Sequence, residues 1–192
     1  MVLKNIYIIL MFVSAFLSAQ DFYVSNESGS DGNDGSETSP FKTINRAISE
    51  VEAGGTVYVM EGIYRNENYG TVDVSNYTNM SNPHVVTIDK SGSEAGYITL
   101  KNYPNHTPVI EFDGKGGIQI ADDMNYIIVE GFEVIGPSQA INYDLAMDNR
   151  VYKVSVAEDG DPSTNYTHSY FSGKGIWGGY GAHHHIIIRN NI

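Results

Sequence analysis

Cysteine is absent from this 192-residue chain. Disulfides therefore contribute nothing to its fold, and a lipid-anchored lipoprotein, which needs a cysteine after its leader, is disfavoured. Basic residues are scarce. Eleven Lys and Arg stand against 23 Asp and Glu, a net charge of −12. Nucleic acid and anionic membrane surfaces both call for basic patches, so the balance argues against either partner. A polyanionic sugar would meet the same repulsion, and its binding is expected to need a bridging cation. Long apolar runs are missing as well. The N-terminal run, Ile6–Leu17, has twelve residues, whereas a membrane-spanning helix takes roughly 18 or more.

That short run follows a lone positive charge, Lys4, and precedes the small-residue segment Ser18-Ala19-Gln20. The pattern is that of a secretory signal peptide over residues 1–20. Export is therefore expected, with the mature protein extracellular or periplasmic and no membrane insertion after cleavage. An uncleaved N-terminal anchor is the alternative. Removal of residues 1–20 leaves ten Lys and Arg against 23 Asp and Glu, a net charge of −13. An exported chain without disulfides needs a large continuous core. Twenty Gly, and fourteen Tyr against one Trp, fit a protein of strands and turns.

The stretch Pro40–Tyr64, PFKTINRAISEVEAGGTVYVMEGIY, combines one helix and one strand. Phe41, Ile44, Ala47, Ile48 and Val51 share one helical face. Ser39 suits the N-cap, Pro40 the first helical position, and Gly54-Gly55 the stop. Val57 and Val59 then alternate with Thr56, Tyr58 and Met60, the period of a half-buried strand. A helix this short cannot bury its face alone. It is expected, over about Thr43–Ala53, to close the end of a stack of strands. The first αβ unit of an ordinary α/β domain is the other reading.

Short strand cores follow at Val57/Val59, Val86/Ile88, Ile98/Leu100, Val109-Ile110, Ile118/Ile120, Ile127/Val129 and Ile186/Ile188. Ile127–Phe132 can be laid over Ile186–Asn191, which makes Phe132 and Asn191 equivalent inward positions at a repeated corner. An inward Asn there can stack and satisfy the backbone groups of the turn. Repetition of short strand, corner and short strand is the mark of a parallel β-solenoid with coils of roughly 20–25 residues. The expected class is all-β, a right-handed parallel β-helix with an N-terminal capping α-helix, the hand following from parallel crossovers. Ile98, Leu100, Ile127, Val129, Phe132, Ile186 and Ile188 should lie inside, and Thr99, Ile128 and Ile187 outside. The expected division is a cap over 21–64 and coils over 65–192, with an arm inserted at about 136–175. The arm carries Tyr143, Tyr152, Tyr166, Tyr170 and Phe171. Arg189–Ile192 falls within a repeat, so the solenoid is expected to be C-terminally incomplete.

Candidate sites follow from residue chemistry. Gly173–Gly181, GKGIWGGYG, holds Trp177 and Tyr180. Aromatic faces stack on sugars, and glycine lets backbone approach a ligand; a turn whose Trp packs against the solenoid is the alternative. Tyr170 and His184 are further candidates for substrate contact. His183 and His185 fall on one side of an alternating segment and could bind a metal, or simply form a polar corner. Asp159 with Asp161, or Asp122 with Asp123, could ligate calcium or be solvated. The loop Asn26–Ser39 fits a Gly-rich turn better than a calcium loop. Glu130 and Glu133 project outward as a pair of carboxylates, which glycoside hydrolysis can use.

Tyr23-Val24-Ser25 with SGSDGNDGS, then SPFKTINRAIS, GGTVYVMEGIY and KSGSEAGYITLKNYPNHTPVIEFDG (Lys90–Gly114), resemble the N-terminal region of secreted pectate-lyase-like right-handed parallel β-helix proteins. Polysaccharide lyases of the pectate lyase L, chondroitinase B and alginate lyase type share these blocks. The resemblance covers about Phe22–Val134 and resumes at His183–Ile192. It implies a monomeric protein acting on an extracellular acidic polysaccharide by calcium-assisted β-elimination. No catalytic motif of those enzymes can be matched to positions here. A non-catalytic glycan-binding or structural β-helix, and a glycoside hydrolase on the same fold, are the alternatives.

Overall fold

The computed structural model describes residues 20–70, 83–136 and 173–192. The expected signal peptide falls almost wholly outside these residues, as does most of the arm, including Tyr143, Tyr152, Asp159, Asp161, Tyr166, Tyr170 and Phe171.

Eleven strands are described: β1 (Phe22–Val24), β2 (Thr56–Val59), β3 (Ile63–Arg65), β4 (Val86–Ile88), β5 (Ile98–Asn102), β6 (Val109–Glu111), β7 (Gly116–Ile120), β8 (Ile127–Glu130), β9 (Glu133–Ile135), β10 (Lys174–Gly178) and β11 (Ile186–Arg189). They form three sheets in which every pairing is parallel. Sheet A runs β1-β2-β5-β8-β11, sheet B β4-β7-β10 and sheet C β3-β6-β9. The chain visits B, A and C in turn, so each strand pairs with its counterpart one coil away. This is the solenoid expected from the sequence.

Register carries the argument from sequence to core. Ile98 pairs with Ile127, and Ile127 with Ile186. Ile98, Leu100, Ile127, Val129 and Phe132 are all buried, while Thr99, Ile128 and Ile187 are not. Pairing like with like along the axis gives continuous internal rows of β-branched and leucine side chains. Ile186 and Ile188 depart from the expectation: Ile186 is partly buried and Ile188 is 48% exposed. They occupy the expected register, but an inward residue is covered by the coils on both sides, and β11 has a described neighbour only in β8.

The corner between sheets A and C works as anticipated. Gly131 and Asn190, equivalent in register, both adopt positive φ, 84° and 56°. The amide of Asn191 reaches back to the preceding corner. Its Oδ1 accepts from the Phe132 N–H at 3.0 Å and its Nδ2 donates to the Val129 carbonyl at 3.1 Å. A side chain on Gly131 would collide with Asn102 Oδ1 at 2.0 Å.

The single helix among the described residues, α1 (Ile44–Glu50), is shorter than expected and starts later. Phe41 is tied into the backbone ladder instead, its N–H donating to Tyr23 O and its carbonyl accepting from Ser25 N. The helix can begin only beyond that bridge. Thr43, not Ser39, is the N-cap, accepting from Arg46 N at 3.2 Å. Asp31 fixes the entry by accepting from the N–H groups of Lys42 and Thr43 at 2.9 and 2.8 Å. The intended face is nevertheless buried: Phe41, Ile44, Ala47, Ile48 and Val51 all join the core. The helix packs on β1, β2 and β4 and closes that end of the solenoid.

Candidate functional site

The outer face of sheet B carries the chain's only tryptophan. Trp177 pairs in register with Gln119, and Gln119 with Thr87. Ile118 and Ile120 flank Gln119 and are buried, so this row faces out. Lys174 places its Nζ 3.9 Å from the centre of the indole ring. His84 stacks on the same indole with centroids 5.8 Å apart at 29°, and Tyr180 meets its edge at 5.9 Å and 90°. Trp177 is thus partly packed, as the alternative reading had it, while Tyr180 stands 76% exposed beside it. His84 also lines a cleft of about 600 Å³ between α1 and strands β3 and β4, together with Asn45, Tyr64, Arg65, Asn66 and Thr87.

Three glycines of Gly173–Gly181, at 173, 179 and 181, are closed in by neighbouring atoms, while Gly175 and Gly178 are exposed with only ordinary contacts. A side chain on Gly173 would strike the Phe112 ring at 2.7 Å. Gly181, at φ 105°, has Asp123 against it. That contact belongs to a clamp between successive turns. Asp122 Oδ1 accepts from Tyr180 N at 2.7 Å, Asp123 Oδ1 from Ala182 N at 2.8 Å, and Asn125 Oδ1 from His184 N at 2.7 Å. Asp122 and Asp123 are both exposed, and each holds the next coil's backbone through its Oδ1.

The three histidines do not alternate as a strand would. His185 has φ 56°, which turns the chain and brings the Nδ1 atoms of His184 and His185 within 2.8 Å. His185 stacks on Tyr126 at 4.5 Å, and His184 meets the same ring edge-on. His184 is thus part of an aromatic corner, away from Trp177's ring contacts. His183 instead faces two carbonyls, Met124 O at 2.9 Å and Gly179 O at 3.0 Å. The Met124 hydrogen bond in particular, then that to Gly179, favours the imidazolium and raises its pKa.

Glu130 is held between two cations. Lys101 Nζ lies 2.9 Å from one oxygen and Arg189 Nε 2.5 Å from the other. The Arg189 hydrogen bond, followed by that from Lys101, lowers the Glu130 pKa. Among the described residues, no group of three or more His, Asp or Glu is placed to hold a metal ion. The described residues therefore do not place the calcium implied by the resemblance.

The charges on sheet B are arranged differently. Lys115 precedes β7 and Lys174 opens β10, with Lys174 N donating to Lys115 O at 3.3 Å. Among the described residues neither has a carboxylate within 4.0 Å, and both disfavour protonation of His84. Burial, then Lys115, then Lys174, lower the pKa of His84 to about 4. Sequence reasoning passed over both lysines and His84. The signal was the repeated Gly-Lys-Gly at 114–116 and 173–175, which falls on successive coils one residue out of register, Lys174 pairing with Gly116.

Residues 22–190 match the family model described as "Pel9A-like, right handed beta helix region". Among curated proteins, the chain is 32% identical over 90 residues to the uncharacterized protein YwoF of Bacillus subtilis (strain 168), covering 47% of this chain and 15% of that protein. It thus spans well under a fifth of that relative's length. Among solved structures, a rhamnogalacturonan lyase matches at 24% identity and TM-score 0.46, over 61% of this chain and 29% of that one. The pectate lyase Pel9A matches at 18% identity and TM-score 0.44, over 60% and 28%. Among the described residues, no helix is long and apolar enough to cross a membrane. With the parallel coils, the inward rows and a family match over nearly the whole length, this chain belongs to the Pel9A-like right-handed β-helix family.

Proposed function

We propose that this is a secreted, carbohydrate-active β-helix that binds an acidic extracellular polysaccharide along the outer face of sheet B, and that the whole protein cleaves it by calcium-assisted β-elimination. The observation that carries the binding half is the cluster of Trp177, Tyr180 and Lys174 on that face. Tyr180 offers an exposed ring, and aromatic rings pack on the C–H surfaces of sugars. Parallel strands stacked about 4.8 Å apart give a stiff face on which successive coils can address one extended chain. Tyr170, and Asp159 with Asp161 as calcium ligands, remain part of this proposal. His184 would contribute only at the rim, through the Tyr126 corner.

Elimination removes the proton at C5 of a uronate, forms the C4–C5 double bond, and expels the C4 oxygen, which takes up a proton. The described residues bind and orient in this reading; no proton-transfer step is assigned to them. A non-catalytic glycan-binding β-helix is the second reading, favoured by the commitment of Glu130, Asp122 and Asp123 to structural partners. The test is full-length protein on pectate, alginate and glycosaminoglycans. Unsaturated, ultraviolet-absorbing products that vanish with a chelator and return with calcium are expected. Saturated products would point to a hydrolase, and binding without cleavage to the second reading.

A further inference from the structure

We infer that Lys115 and Lys174 form a metal-independent site for the anionic group of a glycan, a carboxylate or sulfate ester, on the outer face of sheet B. The inference rests on the polysaccharide reading above and replaces the bridging cation with these two side chains at this position.

The first observation is charge accounting. Among the described cations, Arg46, Arg65, Lys90, Lys101 and Arg189 each have a carboxylate within 4.0 Å. Lys115 and Lys174 have none, although acids outnumber cations 23 to 11. Lys42 also lacks one, but it stands apart from other cations on the loop before α1. The lysine pair is set on consecutive coils, joined through Lys174 N to Lys115 O. Like charges set on consecutive coils repel, and an outside anion would neutralise them.

The second observation is orientation. The Lys174 ammonium is held over the Trp177 ring, a cation–π contact that fixes a long, flexible side chain. Each ammonium offers three donors and no acceptor, the chemistry that an anionic oxygen requires. Tyr180, exposed beside Trp177, supplies an apolar surface for the ring that bears the anion. A charge carried on a sugar ring suits this pairing of cations with aromatics.

The third observation concerns calcium. The carboxylates of the adjoining turn, Asp122 and Asp123, accept from Tyr180 N and Ala182 N. One oxygen of each of these carboxylates is thus already committed to backbone, whereas among the described residues the lysines have no carboxylate within 4.0 Å.

The experiment is calorimetric titration of the full chain, in chelator, with three probes: oligogalacturonates, their fully methyl-esterified forms, and sulfated glycosaminoglycan oligosaccharides. Wild type should bind at least one acidic probe, and more tightly than the esterified one. Lys115→Gln with Lys174→Gln should weaken acidic binding by about tenfold or more, roughly the loss of one charge-assisted contact. Esterified binding should be unchanged, and Lys115→Arg with Lys174→Arg should retain most acidic affinity. Preference for galacturonate or for the sulfated probe identifies the anion. Unchanged acidic binding in the folded Gln variant, checked by thermal melting, would overturn the inference while leaving the polysaccharide reading intact. So would acidic binding that disappears with chelator alone. Failure of wild type to bind any glycan, with and without calcium, would overturn both.

Discussion

On the outer face of sheet A, one row runs along the solenoid axis through Tyr23, Tyr58, Lys101, Glu130 and Arg189. Its members engage one another in two groups: Tyr23 stacks on Tyr58 at 5.3 Å, and Glu130 bonds both Lys101 and Arg189. On the outer face of sheet B, the same alternation presents Trp177, with Lys174 folded onto it and Lys115 one coil away. There the cations have no carboxylate within 4.0 Å among the described residues. The same backbone geometry therefore supports two uses. A row that neutralises itself staples coil to coil, and a row that leaves charge uncompensated is available to a partner.

The sharpest way to break this comparison is to remove the staple. Glu130→Ala should cost about 1–3 kcal/mol, because Lys101 and Arg189 would then face each other uncompensated with Glu130's largely buried position empty. Lys115→Ala with Lys174→Ala should change stability by only about 0.5 kcal/mol or less, since no protein partner is lost. Thermal melting of the two variants checks both. Equal losses would show that sheet B's lysines are structural too.

Binding should show the reverse order. Trp177→Ala should weaken binding of an acidic oligosaccharide by on the order of 1 kcal/mol, through lost stacking and a released Lys174. Tyr58→Ala, on the other face, should leave affinity unchanged. Calorimetry on the two variants separates them, and comparable losses would mean that both faces bind.

Acid should act on the two faces in different windows. The depressed Glu130 pKa means its contribution is present above its ordinary value near 4.5 and is lost as pH falls through the lower folded value. His84 is held neutral with a pKa of about 4 against an ordinary 6.5. The unfolded chain takes up its proton first, so this group lowers stability as pH drops from about 6.5 to about 4. Melting temperatures across pH should show both declines, and His84→Gln should flatten the upper one. A variant retaining the full decline between those values would contradict the burial of His84.

Much of this architecture can be read from the residues. The alternation at Ile98/Leu100 and Ile127/Val129 sets inside from outside, and the likeness of Ile127–Phe132 to Ile186–Asn191 sets the register. The helical face from Phe41 to Val51 is legible, but its true start is not. Phe41 satisfies the helical period while being held extended by Tyr23 and Ser25, a long-range constraint that local periodicity cannot reveal. The same limit hides the exposure of Ile188, which depends on neighbours across coils. His185 breaks the alternation through its left-handed conformation, uncommon outside glycine. The lysine pair was least accessible: Lys174 meets Gly116, and so lies beside Lys115, only once strands 58 residues apart are in register.

The central claim is that sheet B presents a ligand face built on Lys115, Lys174 and Trp177. Because Trp177 is the chain's sole tryptophan, its fluorescence reports on that face alone. Titration with an acidic oligosaccharide in chelator should give a saturable change in emission that is lost in the Lys115→Gln, Lys174→Gln variant and unaffected by Tyr58→Ala. An identical change in the lysine variant, or unaltered emission while calorimetry registers binding, would contradict it.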